Sequence, residues 1–386
     1  LISIPPAPDT PEEAAMTQTT TTTTTTGIEL PARIGLLGCG AVSHQYLPNL
    51  LRLPALQVAA VSDVDPDAAA AVSEQYGVPA VGVDALLADP EIDIAVNLTP
   101  ISFHAAVNRN ALNAGKHVYS EKSLATTVGE AQELLTLAAA KRLAIAGAPD
   151  TLLGTAFQAA RRELLDGTLG RPLSAVATML RSRVPKSAYF SDHKALFDMA
   201  PYYISALVTL FGPIREVSGY LEYDRFEPAE SPVAVAVSGT LRFDSGVTSS
   251  LVLNWNSAYR SEIPVLDVYT ESGVLRCANP NNFGDPAFLR EHSDPAGHWR
   301  EIPGSRQPAD DPRNLRGLGV AEMAEALANG RTPRASGDLA CHVVDVIESL
   351  VNAARAGRSV ALTSTCTPPE PLSDDERKRL DPGTPA

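Results

Sequence analysis

The chain is short of cysteine, of positive charge and of long apolar runs, and each shortage removes a class of protein. Its four cysteines, Cys39, Cys277, Cys341 and Cys366, are scattered without a C-x-x-C pair. That supports neither a zinc site nor a disulfide framework, and a reducing cytoplasm is the simplest setting. Lys and Arg total 31 against 45 Asp and Glu, a formal charge of −14. The balance argues against nucleic acid or an anionic membrane as main partner, though not against a small anionic ligand. His292, His298 and His342 lack metal-ligand spacing, so no metal is expected. No apolar stretch follows basic residues near the start, so the opening reads as neither signal peptide nor membrane span. With Pro5-Pro6 and the Thr19–Thr26 run, residues 1–30 are expected to be a disordered tail, Met16 standing as an alternative start. The Pro- and charge-rich stretch 369–386 is expected to behave likewise.

What remains, at 386 residues, is long enough for two domains with substantial cores. The first informative stretch is Ala32-Arg33-Ile34-Gly35-Leu36-Leu37-Gly38-Cys39-Gly40-Ala41-Val42-Ser43. It reads as a buried strand, a G-x-G turn and a helix start. Gly38 allows the tight turn, and Gly40 lets backbone approach a pyrophosphate held on the following helix N-terminus. Ser43 stands where the usual fingerprint has a third glycine. About twenty residues on, Leu56–Ser62 reads as a second strand ending in Asp63. A carboxylate there accepts both hydroxyls of an adenosine ribose and repels a 2′-phosphate, which favours NAD over NADP. Asp65 reads instead as the start of the turn Asp65-Pro66-Asp67.

Strand-like Ile92–Leu98, His117–Ser120 and Leu143–Ala148 then alternate with helical Asp67–Gln75, Phe103–Ala114 and Val128–Lys141. This rhythm means βαβ units and a parallel sheet, with ligands beyond the carboxyl ends of the strands. Gly38–Ser43, Asp63, Asn97–Pro100 and Ser120–Ser123 therefore share one rim. From residue 151 the rhythm changes to helical Phe157–Asp166 and Phe197–Leu210 and a run of extended segments between Leu173 and Cys277. That predicts an α+β second domain over 151–368 with a mostly antiparallel sheet, following a first domain over 31–150. Gly319–Leu327 and Leu339–Arg355 read as closing helices.

With the glycine turn, the strand-ending acid and Glu121-Lys122 in place, the chain resembles the Gfo/Idh/MocA oxidoreductases. The name joins glucose–fructose oxidoreductase, inositol dehydrogenase and a rhizopine-catabolism protein. Further motifs are Asn97-Leu98-Thr99-Pro100 with His104, Phe197–Tyr203, and Asn279-Pro280-Asn281-Asn282-Phe283-Gly284. The resemblance implies an α/β protein: a Rossmann domain, then an α+β domain whose open sheet often forms the dimer interface in relatives. It implies NAD(P)-dependent chemistry on sugars or polyols and a homodimer or homotetramer. Gly38, Gly40, Ala41, Val42, Ser43, Asp63, Asn97, Thr99, Pro100, His104, Glu121 and Lys122 become cofactor-binding candidates. For His104, capping or packing is an equal alternative. Lys122 becomes the group that takes or relays the hydroxyl proton when hydride leaves a secondary alcohol.

Two departures stand out. Ser123 replaces the proline of the usual Glu-Lys-Pro, and Tyr202 stands four residues after Asp198, where dehydrogenases of the family carry histidine. Ala200 stands where glycine is common, and His193-Lys194-Ala195 replaces glycines before Asp198, His193 being a speculative substitute. Tyrosine is a poorer base than histidine near neutrality, so Tyr202 is expected to position a hydroxyl or pack a helix. Asp198 is a catalytic candidate or a helix-start acid. Trp255 and Tyr259 read as core before sugar-stacking groups. The functional expectation is an NAD-dependent oxidoreductase acting on a sugar, polyol or glycoside carbinol through Lys122, Asp198 and Tyr202. The alternatives are an NAD-retaining glycosidase, lyase or epimerase, and a non-catalytic NAD-binding protein.

Overall fold

A computed structural model describes residues 27–182, 194–223, 234–257, 265–277, 279–306 and 314–380. The expectations for residues 1–26, His193, Tyr259 and residues 381–386 lie outside the described residues. Ile28 packs on the core, so ordered chain begins slightly before the expected boundary.

The first domain runs β1 (Ala32–Leu37), α1 (Ser43–Leu50), β2 (Leu56–Ser62), α2 (Pro66–Tyr76), α3 (Val83–Ala88), β3 (Ile94–Asn97), α4 (His104–Asn113), β4 (His117–Ser120), α5 (Val128–Lys141) and β5 (Ile145–Gly147). The strands form one parallel sheet in the order β2-β1-β3-β4-β5. Every residue of β3, β4 and β5 is buried, as befits strands covered by helices on both faces. Local chemistry sets the helix ends. Asp65 caps α2 by accepting from the Asp67 N–H, and Gly77 closes it in a left-handed conformation. Thr127 caps α5 through the Glu130 N–H, while the Glu130 carboxylate reaches back to Thr126.

The second domain runs α6 (Thr155–Leu165), β6 (Pro172–Ser182), α7 (Lys194–Phe211), β7 (Ile214–Tyr223), β8 (Ala234–Phe243), β9 (Thr248–Ser257), β10 (Leu266–Thr270), β11 (Gly273–Arg276), β12 (Phe288–Glu291), β13 (Arg300–Glu301), α8 (Leu318–Ala328), α9 (Gly337–Ala356), β14 (Val360–Ala361) and α10 (Asp374–Leu380). Its nine-stranded sheet has the order β13-β12-β11-β10-β6-β9-β8-β7-β14 and is antiparallel except at the central β6–β9 pair. Inward Val217, Leu241, Phe243, Leu251 and Leu253 are buried. Outward Ser238, Thr240, Thr248 and Ser250 alternate with them. Helix α9 packs on α5 and β5 of the first domain as well as on α7 and β7, tying the domains together. The four cysteines are free and buried. Among the described residues, no helix is long and apolar enough to cross a membrane.

The C-terminal stretch departs from expectation. Residues 369–380 are not a loose tail but a strap ending in α10. The Leu372 N–H donates to Gln158 Oε1, and Arg334 bridges Glu376 and the fully buried Glu322. Leu372 and Leu380 are each 2 % exposed. Composition suggested disorder because charge dominates locally, whereas the partners of those charges lie on α8 and just beyond it.

Candidate active site

A cavity of about 710 Å³ opens at the carboxyl rim of the parallel sheet, walled by both domains. The size suits a small-molecule or cofactor site. Its first wall is the turn after β1. Gly38 has φ +105°, and a Cβ there would lie 2.8 Å from the Leu98 backbone. At Gly40 a Cβ would meet open space. The N–H groups of Gly40, Ala41 and Val42 have no acceptor among the described residues and sit before α1. A pyrophosphate fits this arrangement of donors.

Asp63 closes the β2 end. Its Oδ2 accepts from the Cys39 N–H at 2.7 Å and its Oδ1 from the Asp65 N–H at 2.9 Å. Each oxygen keeps a lone pair for a ribose hydroxyl. Val64 beside it is 91 % exposed. Among the described lining residues the cations are Lys122 and Arg316. Lys122 follows β4, three strand spacings from Asp63, ~14 Å away across the rim. The Asp63 end of the described lining thus holds a carboxylate and no cation, a fit for an unphosphorylated ribose.

At the other end Lys122 Nζ donates to Asp198 Oδ1 and to the Asp198 carbonyl, both at 2.8 Å. The side chains of Lys122 and Asp198 are 9 % and 22 % exposed. Lys122 Nζ lies 5.4 Å from the Tyr202 ring centroid. The three catalytic candidates therefore meet in one place and line the cavity. Helix α7 begins at Lys194, so Asp198 lies within the helix rather than at its start. Burial raises the Tyr202 phenol above its ordinary pKa, with Lys122 and Arg316 pulling the other way, and the hydroxyl stays protonated at neutral pH. The Lys122–Ser123 peptide is cis. Buried Glu121 accepts from the Tyr46 hydroxyl at 2.7 Å and from the Lys122 N–H at 2.9 Å.

Three of the expected cofactor contacts have side chains engaged within the protein itself. Asn97 is absent from the cavity wall: its Oδ1 accepts from the Thr99 N–H and hydroxyl, and its Nδ2 donates to Asn108. It shapes the turn that carries Thr99 and Pro100. Ser43 is fully buried, and its hydroxyl donates to the Gly40 carbonyl, bracing the turn from behind. His104 borders the cavity, but its Nδ1 lies 2.6 Å from the Ser123 carbonyl and its Nε2 2.7 Å from the Thr99 carbonyl. Burial pushes its pKa down despite those carbonyls. A neutral imidazole donates from one ring nitrogen only, so one of those carbonyls accepts a hydrogen bond, and the buried ring sits between the β3 and β4 loops.

Gln45, Met199, Asn281 and Arg316 also line the cavity. Gln45 sits two residues beyond the fingerprint that ends at Ser43, and Asn281 belongs to the Asn279–Gly284 motif, which carried no assigned role. Nothing local marked Arg316, whose position depends on how the loop before α8 returns to α1. Trp255 is 5 % exposed and belongs to the core.

A parallel-sheet nucleotide domain, a cleft with an ion-paired lysine and a second domain built on an open sheet define a two-domain, NAD-binding oxidoreductase. Residues 32–146 match the family model described as "Oxidoreductase family, NAD-binding Rossmann fold", and residues 157–276 match "GFO/IDH/MocA C-terminal domain". The chain belongs to the GFO/IDH/MocA family, whose members named among its relatives are dehydrogenases and reductases. One relative is dTDP-3,4-didehydro-2,6-dideoxy-alpha-D-glucose 3-reductase of Streptomyces violaceoruber, 28 % identical over 80 % of this chain and 90 % of that protein. Another is inositol 2-dehydrogenase of Acidothermus cellulolyticus, 26 % identical over 69 % of this chain and 79 % of the relative. Among solved structures, levoglucosan dehydrogenase with NADH and L-sorbose is similar at TM-score 0.77 and 22 % identity, over 86 % of this chain and 99 % of that one.

Proposed function

We propose that the protein moves a hydride between nicotinamide and a secondary carbinol, or its ketone, of a sugar, polyol or glycoside. The observation that carries this reading is the Lys122–Asp198 ion pair beside Tyr202, in the one cavity that also holds the glycine turn and Asp63. Bound at that turn, the cofactor supplies a carbon that accepts or delivers hydride. The chain's own groups must then handle a proton. The Asp198 carboxylate stabilises the ammonium form of Lys122. In reduction, Lys122 gives a proton to the oxygen as negative charge develops on it. In oxidation Lys122 first releases its own proton and, as the neutral amine, takes the hydroxyl proton, and Asp198 is placed to stabilise the ammonium that results. Tyr202, a neutral phenol, orients the substrate oxygen by hydrogen bonding. Sugar substrates are supported by the relatives, named for a deoxysugar reductase, an inositol dehydrogenase and a 1,5-anhydro-D-fructose reductase.

The test is a panel of sugars, polyols, glycosides and their keto forms, supplied with NAD or NADH and followed by NADH absorbance. Net change with at least one member supports the proposal. Turnover without net NADH, accompanied by exchange of a carbon-bound proton, would replace it with a transient-oxidation lyase or epimerase.

A further inference from the structure

Arg316 is nine-tenths buried at the floor of the cleft, yet no carboxylate forms an ion pair with it among the described residues. Two arms of its fork donate to neutral groups from two domains. Nε donates to Gln45 Oε1 of α1 at 3.0 Å, and Nη2 donates to Asn281 Oδ1 of the second domain at 2.9 Å. Its carbonyl accepts from Asn49 of α1 at 2.8 Å, and its Cζ lies 5.5 Å from the Tyr202 ring centroid. Nη1 is buried with no partner among the described residues. Burial works against the charge, but the Glu121 and Asp150 carboxyl groups nearby favour the protonated guanidinium.

The charge of this buried cation is compensated by carboxylates further off rather than by its direct partners, which are amides. The arrangement is a good device for geometry: a rigid fork fixes two partners in one plane. Here the partners are the helix that follows the phosphate-binding turn and the loop that faces the substrate. Tyr202, with Lys122 and Arg316 both near its ring, is held by the same group.

We propose that Arg316 is a positioning residue of the reaction, setting the width of the cleft by clamping Gln45 to Asn281 and fixing the Tyr202 ring. The role rests on the oxidoreductase reading above. Hydride transfer is sensitive to donor–acceptor distance, and a displacement of about 1 Å costs roughly 10²-fold in rate.

The experiment compares wild type with Arg316→Lys, Arg316→Ala, Gln45→Ala, Asn281→Ala and the doubles of each alanine with Arg316→Ala. The readouts are kcat, substrate KM, NADH affinity by fluorescence and the primary isotope effect with deuterated NADH. Expected are a fall in kcat of about 10²-fold for both Arg316 variants, a larger isotope effect, and NADH affinity and substrate KM within about threefold of wild type. Guanidinium ion should partly rescue Arg316→Ala, and the doubles should lose little more than Arg316→Ala alone. A wild-type kcat in Arg316→Lys, a loss confined to KM, or losses at 316 and 281 that multiply would each overturn the proposal. If Arg316→Ala fails to fold, Gln45→Ala and Asn281→Ala carry the test, and an unchanged kcat in both overturns it. Should wild type turn over nothing, the oxidoreductase reading falls, and amide exchange of the NADH-bound proteins decides the clamp separately. Faster exchange over 43–47 and 279–284 in Arg316→Lys upholds it, and unchanged exchange overturns it.

Discussion

At the scale of single residues, the cleft separates two kinds of work along one rim. Lys122 is held between the carboxylate and carbonyl of Asp198, while Tyr202 is neutral and buried. Lys122→Ala should therefore lower kcat by about 10²-fold or more, the usual size of an acid–base contribution. Tyr202→Phe should cost less and raise substrate KM more than it lowers kcat. Steady-state kinetics checks both, and a normal kcat in Lys122→Ala with an inactive Tyr202→Phe would reverse the assignment. At the far end, Asp63→Ser with Val64→Arg should shift preference toward NADP, since the change removes a carboxylate and adds a cation at an exposed position. The ratio of kcat/KM for the two cofactors measures it, and equal use of NADP by the unaltered protein would contradict the premise.

At the scale of elements, the turn between β1 and α1 divides folding from binding. Gly38→Ala adds a Cβ 2.8 Å from backbone at a positive φ, and should destabilise by about 1–3 kcal/mol or more. Gly40→Ala meets only open space, so it should melt like wild type yet weaken NADH binding by about tenfold, ~1.4 kcal/mol. Thermal melts beside NADH titration separate the two. Helix α9 carries a pH dependence of its own. Burial pushes His342 from 6.5 down to about 4, and its Nε2 accepts from the Ile214 N–H at 2.9 Å. The unfolded chain takes up this proton first, so the stabilisation is whole above 6.5 and is lost as pH falls toward about 4. Between pH 7 and 5 the loss should be about 2 kcal/mol. His342→Gln, which keeps an acceptor and does not titrate, should show a smaller loss in denaturant unfolding at the two pH values.

At the scale of the whole molecule, the nine-stranded sheet presents an outer face of Ser238, Thr240, Thr248 and Ser250 beside Tyr220, which is 76 % exposed. We expect a dimer or tetramer assembled on this face, and light scattering giving a monomer at micromolar concentration would contradict it. Tyr220→Glu should shift the assembly toward monomer. The parallel domain was legible in the chain because its signals are local. Apolar runs of buried strands, Gly38 and Asp63 at strand ends, and the cap at Thr127 act within a few residues of where they are written. The Lys122–Asp198–Tyr202 group was legible through motifs in two separate segments, although their contact could only be expected. The sequence by itself determined the domain order, the acid that ends the second strand, and the residue types that line the cleft. The tertiary structure decided the rest: that His104, Asn97 and Ser43 brace the rim, that residues 369–380 dock, and that Arg316 joins α1 to the loop of Asn281. The docked strap and the Arg316 contacts depend on partners hundreds of residues apart, such as Arg316 and Gln45, and no periodicity or spacing encodes such a meeting. Only packing brings them together.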